Sequence, residues 1–107
     1  MVMQWRYAVD ASAVDEEDVV QVVIENRELA VYRLGEEFYA TEDACTHGQA
    51  SLSEGVVING VIECPLHQGR FCIRTGKPRG GPVSVPLRTF PTQQEGGKVF
   101  IRIDAET

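Results

Sequence analysis

Residues 45–69 read CTHGQASLSEGVVINGVIECPLHQG, and this stretch carries most of what the chain says about its fold. Its centre, residues 56–63, consists of two β-branched runs joined by Asn59 and Gly60. Asn-Gly between such runs is typical of a type I′ hairpin turn, because both central residues of that turn need positive φ. A hairpin here folds the chain back on itself, so we expect the segments at its two ends to lie close together.

Each end of this predicted hairpin carries one cysteine and one histidine. Cys45 and His47 precede the hairpin, Cys64 and His67 follow it, and sixteen residues separate His47 from Cys64. Two thiolates and two imidazoles suit a tetrahedral Zn²⁺ site. They equally suit a [2Fe–2S] cluster in which two His replace two Cys on one iron. Ligand identity alone therefore leaves zinc and iron–sulfur open.

The residues around these four side chains favour the iron–sulfur interpretation. The C-x-H spacing is tighter than the C-x₂₋₄-C spacing of common zinc sites. Gly48 and Gly69 would let the backbone approach a bulky inorganic core and donate N–H groups to its sulfide. Pro65 would stiffen the segment between Cys64 and His67.

The rest of the chain predicts an all-β domain of many short strands. No window of ordinary helix length has a helical period, and short β-branched runs alternate with turn residues. Strands are predicted at residues 19–24, 29–34, 38–40, 56–58 and 61–63, with turns at 25–26, 35–36 and 59–60.

The last part of the chain predicts a further hairpin. Val99, Ile101 and Ile103 alternate with Lys98, Phe100 and Arg102, as in a half-buried strand. Gly96 and Gly97 mark a turn between this strand and residues 89–94. Residues 76–82 are rich in turn formers but short for a linker, so we interpret them as an ordered loop.

Length and charge limit the possible functions. A chain of 107 residues predicts one domain over residues 1–107, with a cluster-binding part at about residues 43–82. The net charge of −6, without a basic patch, argues against a nucleic-acid partner. Acidic groups at residues 15–18, 36–37 and 42–43 are interpreted as solvated turns, or alternatively as an acidic face that steers the domain toward basic redox partners.

Hydropathy and the cysteine count indicate the compartment and the state of the third cysteine. No apolar run approaches a membrane span, and the N-terminus lacks a secretory signal, so we expect a cytoplasmic protein without membrane contact. An odd count of three cysteines argues against a disulfide framework. Cys72, outside the two motifs, is expected to be a small buried hydrophobe.

The two motifs resemble those of a known family. Residues 45–48 (CTHG) and 64–71 (CPLHQGRF) are similar to the two boxes of Rieske ferredoxins, especially the ferredoxin components of bacterial aromatic-ring dioxygenase systems of the naphthalene and biphenyl type. The resemblance extends over essentially the whole chain, including Trp5, residues 39–41 and residues 75–77.

This resemblance implies a domain of three antiparallel sheets that holds one [2Fe–2S] cluster at the tips of two loops. Cys45 and Cys64 would bind the buried iron. His47 and His67 would bind the outer iron through their δ nitrogens, with their other edges near solvent as the electron's exit. Residues 81–82 would correspond to the proline loop that covers the cluster.

Departures from the high-potential branch of this family imply a low potential. Respiratory Rieske proteins carry a disulfide at the positions of Ala50 and Leu66, where none is possible here. They also carry a Ser and a Tyr, as donors to cluster sulfur, at the positions of Gly69 and Phe71. Because fewer donors stabilise the reduced cluster less, we expect a potential on the order of −150 mV.

The histidine count separates a carrier from an oxygenase. A Rieske oxygenase also needs a mononuclear iron held by two His and a carboxylate. Both histidines of this chain are assigned to the cluster, so no catalytic residue is expected. Together with this exclusion, the resemblance implies a monomeric one-electron carrier between a flavoprotein ferredoxin reductase and a terminal oxygenase. The alternatives are a small subunit of a nitrite-reductase-type complex and a Cys₂His₂ zinc-binding interaction module.

Overall fold

The computed structural model describes residues 2–46, 48–66, 68–81 and 83–105. Over these residues the chain forms strands and two short 3-10 helices, η1 and η2, and no α-helix. The elements in chain order are β1 Val2–Asp10, η1 Ala11–Ala13, β2 Asp18–Ile24, β3 Arg27–Leu34, β4 Glu37–Glu42, η2 Leu52–Glu54, β5 Val56–Ile58, β6 Val61–Glu63, β7 Arg70–Cys72, β8 Pro78–Gly80, β9 Thr89–Phe90, β10 Thr92–Glu95 and β11 Lys98–Ala105. In this part of the chain no helix has the length and hydropathy to cross a membrane.

The strands pair into three antiparallel sheets, which confirms the predicted fold class. The terminal sheet has the order β1-β11-β10, and the central sheet has the order β2-β3-β4-β9. The hairpin sheet has the order β5-β6-β7-β8 and contains the hairpin predicted from Asn59 and Gly60.

The central sheet is covered on both faces, which explains an unbroken buried run in β3. Leu29 and Val31 belong to a core shared with Val99, Ile101 and other residues of the terminal sheet. Ala30 and Tyr32 belong to a second core. That second core is shared with the hairpin sheet and the loops beside it, through Cys45, Leu52, Ile62, Cys64, Phe71, Ile73, Val83 and Leu87. A strand between two layers buries successive side chains in opposite directions, so it loses the polar alternation of a half-exposed strand.

Three hairpin turns have the backbone conformation that their residues predict. Glu25 and Asn26 have φ of 52° and 68°, and Asn59 and Gly60 have φ of 52° and 78°. The turn at residues 96–97 also has two positive φ angles, 59° and 78°. These pairs match the type I′ requirement, and they set the registers of β2–β3, β5–β6 and β10–β11.

Residues 89–94 do not form the single strand that the sequence predicts. Thr89 and Phe90 pair with β4 in the central sheet, whereas β10 begins at Thr92 and pairs with β11 in the terminal sheet. Pro91 separates the two strands, and its carbonyl accepts a hydrogen bond from the Arg102 N–H at 3.0 Å. Because proline has no N–H to donate, it ends one ladder and the chain passes to the next sheet.

Two further predictions need correction in this part of the fold. Residues 76–82 are not entirely loop, because residues 78–80 form β8 against β7, with a shift in register between Arg70 and Phe71. Cys72 is partly exposed rather than buried, since it is the last residue of the short strand β7.

The acidic groups divide into two kinds. Residues 15–18 and 36–37 are exposed, as predicted for solvated turns. The prediction is wrong for Asp43, whose exposed fraction is 0%. Asp43 lies directly after β4, where the chain turns beneath η2, and the packing of that segment removes its side chain from water.

Candidate cluster site

The first cysteine segment is a small closed loop at the end of β4. The carbonyl of Asp43 accepts a hydrogen bond from the Leu52 N–H at 2.7 Å, and Ala44 forms a β-bridge with Ser51. The Cys45 N–H donates to the carbonyl of Ala50 at 3.0 Å. These contacts continue the antiparallel geometry of β4 into the loop and fix the backbone of Cys45.

The second cysteine segment connects β6 to β7. Cys64 follows β6 directly, and its N–H donates to the carbonyl of Gly69 at 2.7 Å. The Leu66 N–H points back to Cys64 Sγ at 3.4 Å. Gln68 has φ of 58°, which reverses the chain before β7. An N–H donor to a cysteine sulfur is the kind of contact that stabilises a thiolate metal ligand.

The two loops bring the predicted cysteine ligands together, as the hairpin argument expects. Cys45 and Cys64 are 6% and 1% exposed and belong to one hydrophobic core. Burial raises the pKa of Cys64 to about 11; the Leu66 N–H lowers it, and a hydrogen bond to the thiol of Cys45 raises it. The buried thiol of Cys64 thus resists ionisation by itself.

This donor set fits a metal cluster. A coordinated cation deprotonates a thiol outright and offsets the cost of burying its negative charge. Cys45 and Cys64 are therefore suited to bind iron or zinc, since they are adjacent, dry and provided with an N–H donor. His47 and His67 lie outside the described residues, so their part in the ligand set stays a prediction.

A third loop, which connects β8 to β9, packs against both cysteine segments. Thr46 Oγ1 donates to the carbonyl of Val85 at 2.8 Å, which joins this loop to the first segment. A Cβ placed on Gly69 would lie 2.5 Å from Val83 Cγ1, so the second segment also touches this loop. Gly81 has φ of 75°, and its Cβ would meet the Gln68 carbonyl at 2.7 Å. Pro82, predicted to cover the cluster, lies outside the described residues.

The glycines of the two motifs have a role that the sequence did not indicate. Gly48 would place a Cβ 2.8 Å from Leu66 Cδ2, and Gly69 would place one against Val83. Their missing side chains therefore allow the loops to pack against each other. This close approach has no signature in the motif itself, because Val83 is fourteen residues from Gly69.

We predict that Gly69→Ala loosens the third loop and that Val83→Ala compensates. The added methyl group overlaps Val83 Cγ1, and overpacking of this kind costs about 1–3 kcal/mol. The single variant should therefore lose its visible chromophore at a lower temperature. The double variant should recover most of that loss. Equal melting of both variants would show that the contact with Val83 is not the cause.

The comparisons with known proteins identify the family. The sequence model of the protein family described as the Rieske [2Fe-2S] domain matches residues 4–91 of this chain. The chain is 45% identical over 101 residues to the ferredoxin component of the naphthalene 1,2-dioxygenase system of Pseudomonas putida, which covers 94% of this chain and 97% of that protein.

Two solved structures agree in fold. The ferredoxin of Sphingomonas yanoikuyae B1 has a TM-score of 0.89 and 34% identity, covering 94% of this chain and all of its own (100%). A chain of the complex of reduced oxygenase and oxidised ferredoxin in carbazole 1,9a-dioxygenase has a TM-score of 0.84 and 44% identity, covering 91% of each chain.

These matches decide between the two metals that the ligand types left open. The protein carries one [2Fe–2S] cluster and not zinc, and it transfers electrons without being an enzyme itself. The cluster explains three features together: the two Cys/His segments, the buried cysteine pair and the three-sheet fold. The chain belongs to the Rieske [2Fe–2S] domain family.

Proposed function

We propose that this protein is a low-potential carrier that takes single electrons from an NAD(P)H-dependent flavoprotein reductase and passes them to a terminal oxygenase acting on aromatic compounds. The observation that carries this proposal is the full-length similarity to ferredoxin components, 45% identity over 94% of the chain, joined to a buried cysteine pair at two loop tips. The solved complex of a ferredoxin with the oxygenase of carbazole 1,9a-dioxygenase offers a precedent for the second partner.

We propose Cys45 and Cys64 as ligands of the inner iron and His47 and His67 as ligands of the outer iron. The buried, adjacent thiols support the first pair. The second pair is supported by position in the motifs and by the histidine count, because the chain has two histidines. Residues 43–82 would then form the cluster-binding part of a single domain. When bound, the cluster accepts and releases one electron.

The surroundings of the cysteines support a low potential. Phe71 is fully buried at 0% exposure and stands where high-potential proteins have a tyrosine hydroxyl. Gly69 has only its backbone to offer at the other donor position. The Leu66 N–H contacts Cys64 Sγ, so a backbone donor remains, while Gly69 and Phe71 have no hydroxyl to donate. Fewer donors to sulfur leave the added electron less stabilised.

Charge and cysteine usage support the setting of this carrier. Exposed acidic residues and a net charge of −6 favour encounter with basic surfaces on the reductase and oxygenase. The three cysteines form no disulfide, which suits the reducing cytoplasm. A monomer is the form that we propose, because a shuttle exposes one docking surface to two partners in turn.

The proposal is tested by a redox titration followed by reconstitution. We expect a midpoint on the order of −150 mV, and aromatic oxygenation that requires NADH, a flavoprotein reductase, this protein and a terminal oxygenase together. Omission of this protein should abolish turnover. A midpoint well above zero would contradict the low potential. Transfer to a nitrite reductase, with none to the terminal oxygenase, would favour the nitrite-reductase subunit instead.

A further inference from the structure

One carboxylate differs in burial from the other charged side chains that the structure describes. Among the residues that the structure describes, Asp43 is the charged side chain that is buried, with an exposed fraction of 0%. It lies two residues before Cys45, at the base of the first cysteine loop. Charged side chains are almost never fully buried unless they are paired or hydrogen-bonded.

The partners of Asp43 are donors. Gln21 Nε2 donates to Oδ2 at 2.6 Å, the Ser53 N–H donates to Oδ1 at 2.8 Å, and Ser53 Oγ lies 3.1 Å from Oδ2. An ionised carboxylate only accepts hydrogen bonds, and all three of these groups can donate to it. Charge-assisted bonds of this kind offset the cost of burying the charge.

These bonds join three elements beneath Cys45. Gln21 belongs to β2, Asp43 follows β4, and Ser53 belongs to η2. The backbone of Asp43 adds two bonds, from its N–H to the Glu28 carbonyl at 3.1 Å and to its carbonyl from the Leu52 N–H at 2.7 Å. The carboxylate therefore links β2 and η2 to the chain two residues before Cys45.

A charge in this position acts on its surroundings through a dry interior. Counter-ions and water screen buried charges much less than exposed ones. The pKa of Tyr32 illustrates this: burial raises it most, the hydrogen bond to Thr41 lowers it, and the charge of Asp43 raises it further. Addition of an electron to a cluster at Cys45 would meet the same repulsion.

We propose that Asp43 is a positioning residue for the first cysteine loop and that its fixed negative charge lowers the reduction potential of the cluster. This inference rests on the proposed ligation by Cys45. It adds a second cause of low potential that does not depend on hydrogen bonds to sulfur. Side chains from two other elements, β2 and η2, hold the carboxylate in place.

Asp43→Asn is the decisive variant, because its neighbours can adapt to it. The amide oxygen can still accept from the Ser53 N–H, the Ser53 hydroxyl can rotate to accept, and the Gln21 amide can turn to present its oxygen. We expect the cluster to be retained and the potential to rise. The expected size is a tenfold change in the ratio of oxidised to reduced protein, which is 59 mV for a one-electron couple.

Glu42→Gln is the matched control. It removes the same charge one residue earlier in the chain, from a side chain that is 41% exposed and 3.7 Å from Arg27. Water screens that charge, so the ratio of oxidised to reduced protein should stay within a few-fold of the wild-type ratio. Equal shifts in the two variants would overturn the proposal, because the effect would then follow net charge and not the buried site. An unchanged potential in Asp43→Asn would overturn it as well.

Ser53→Ala distinguishes the effect of the Asp43 charge from the effect of the hydrogen bonds that hold it. This variant removes the hydroxyl contact and keeps both the carboxylate and the Ser53 N–H bond, so the potential should not rise. If Asp43→Asn fails to take up iron, this variant decides: an unchanged or lower potential supports the proposal, and a higher one overturns it. A wild-type protein without a Rieske-type EPR signal would instead show that the proposed ligands are wrong.

Discussion

Replacing Cys45 or Cys64 by serine is expected to leave a folded protein with almost no bound iron. Each thiol is buried in the same core, and the two hydrogen-bond to each other. A serine hydroxyl at either buried position is a poor iron ligand, so one cluster bond is lost without replacement. Iron and acid-labile sulfide analysis, with the visible absorption spectrum, measures the loss.

Cys72→Ser is the control for these two variants. Cys72 ends β7 and is partly exposed, outside both cysteine loops. Iron and sulfide content should therefore equal those of the wild-type protein. Full iron content in Cys45→Ser, or loss of iron in Cys72→Ser to the same extent, would contradict the assignment of the inner ligands.

Gly55→Ala is expected to have the largest effect on stability. A Cβ on Gly55 would overlap the Glu63 carbonyl oxygen, at 2.1 Å, and would lie 3.2 Å from the Leu52 carbonyl oxygen. Both neighbours are backbone atoms, so neither can rotate away, and the N–H of Gly55 holds the segment to Leu52 at 2.8 Å. We expect the free energy of unfolding to fall by about 3 kcal/mol.

The same position affects the cluster, because Gly55 connects η2 to β5 and so joins the two cysteine loops. Urea unfolding and the rate of chromophore loss should both reveal the change. Gly35→Ala provides the comparison, since Gly35 has φ of 65° and no atom within 4 Å of its would-be Cβ. Its cost should be about 1–2 kcal/mol, from the left-handed conformation alone. A Gly55→Ala variant no less stable than Gly35→Ala would contradict the close packing of β5 and β6.

The parts of the fold that the sequence predicted are those decided by neighbouring residues. Asn59 and Gly60 determine their turn locally, and so do Gly96 and Gly97, whose positive φ angles the structure contains. The register of the hairpin then brings Cys45 and Cys64 together without any long-range information. This is why the proximity of these two cysteines was predictable from the sequence.

The parts that were missed depend on distant contacts. Strand β1 pairs with β11, and two of its large apolar side chains, Trp5 and Tyr7, are 40% and 50% exposed. Its pattern therefore does not indicate an inward face. The strand over residues 89–94 was predicted as continuous because β-propensity does not show that the chain changes sheets at Pro91.

Asp43 shows the same limit at the site. The sequence places it beside Glu42 in an acidic pair, which is typical of a solvated turn. Its donors, Gln21 and Ser53, are 22 and 10 residues away, so no local pattern distinguishes it from exposed acidic residues. Only the packing of β2 and η2 around the end of β4 makes it a buried charge.

Ligation of the outer iron by both histidines is tested most directly by electron–nuclear double resonance. The spectrum is recorded on the reduced protein labelled with ¹⁵N-histidine. The chain contains two histidines, His47 and His67, so every labelled imidazole signal comes from one of them. We predict strong couplings from two inequivalent histidine nitrogens, which vanish in part when either residue is replaced. Couplings from one histidine, or from none, would contradict ligation of the outer iron by both.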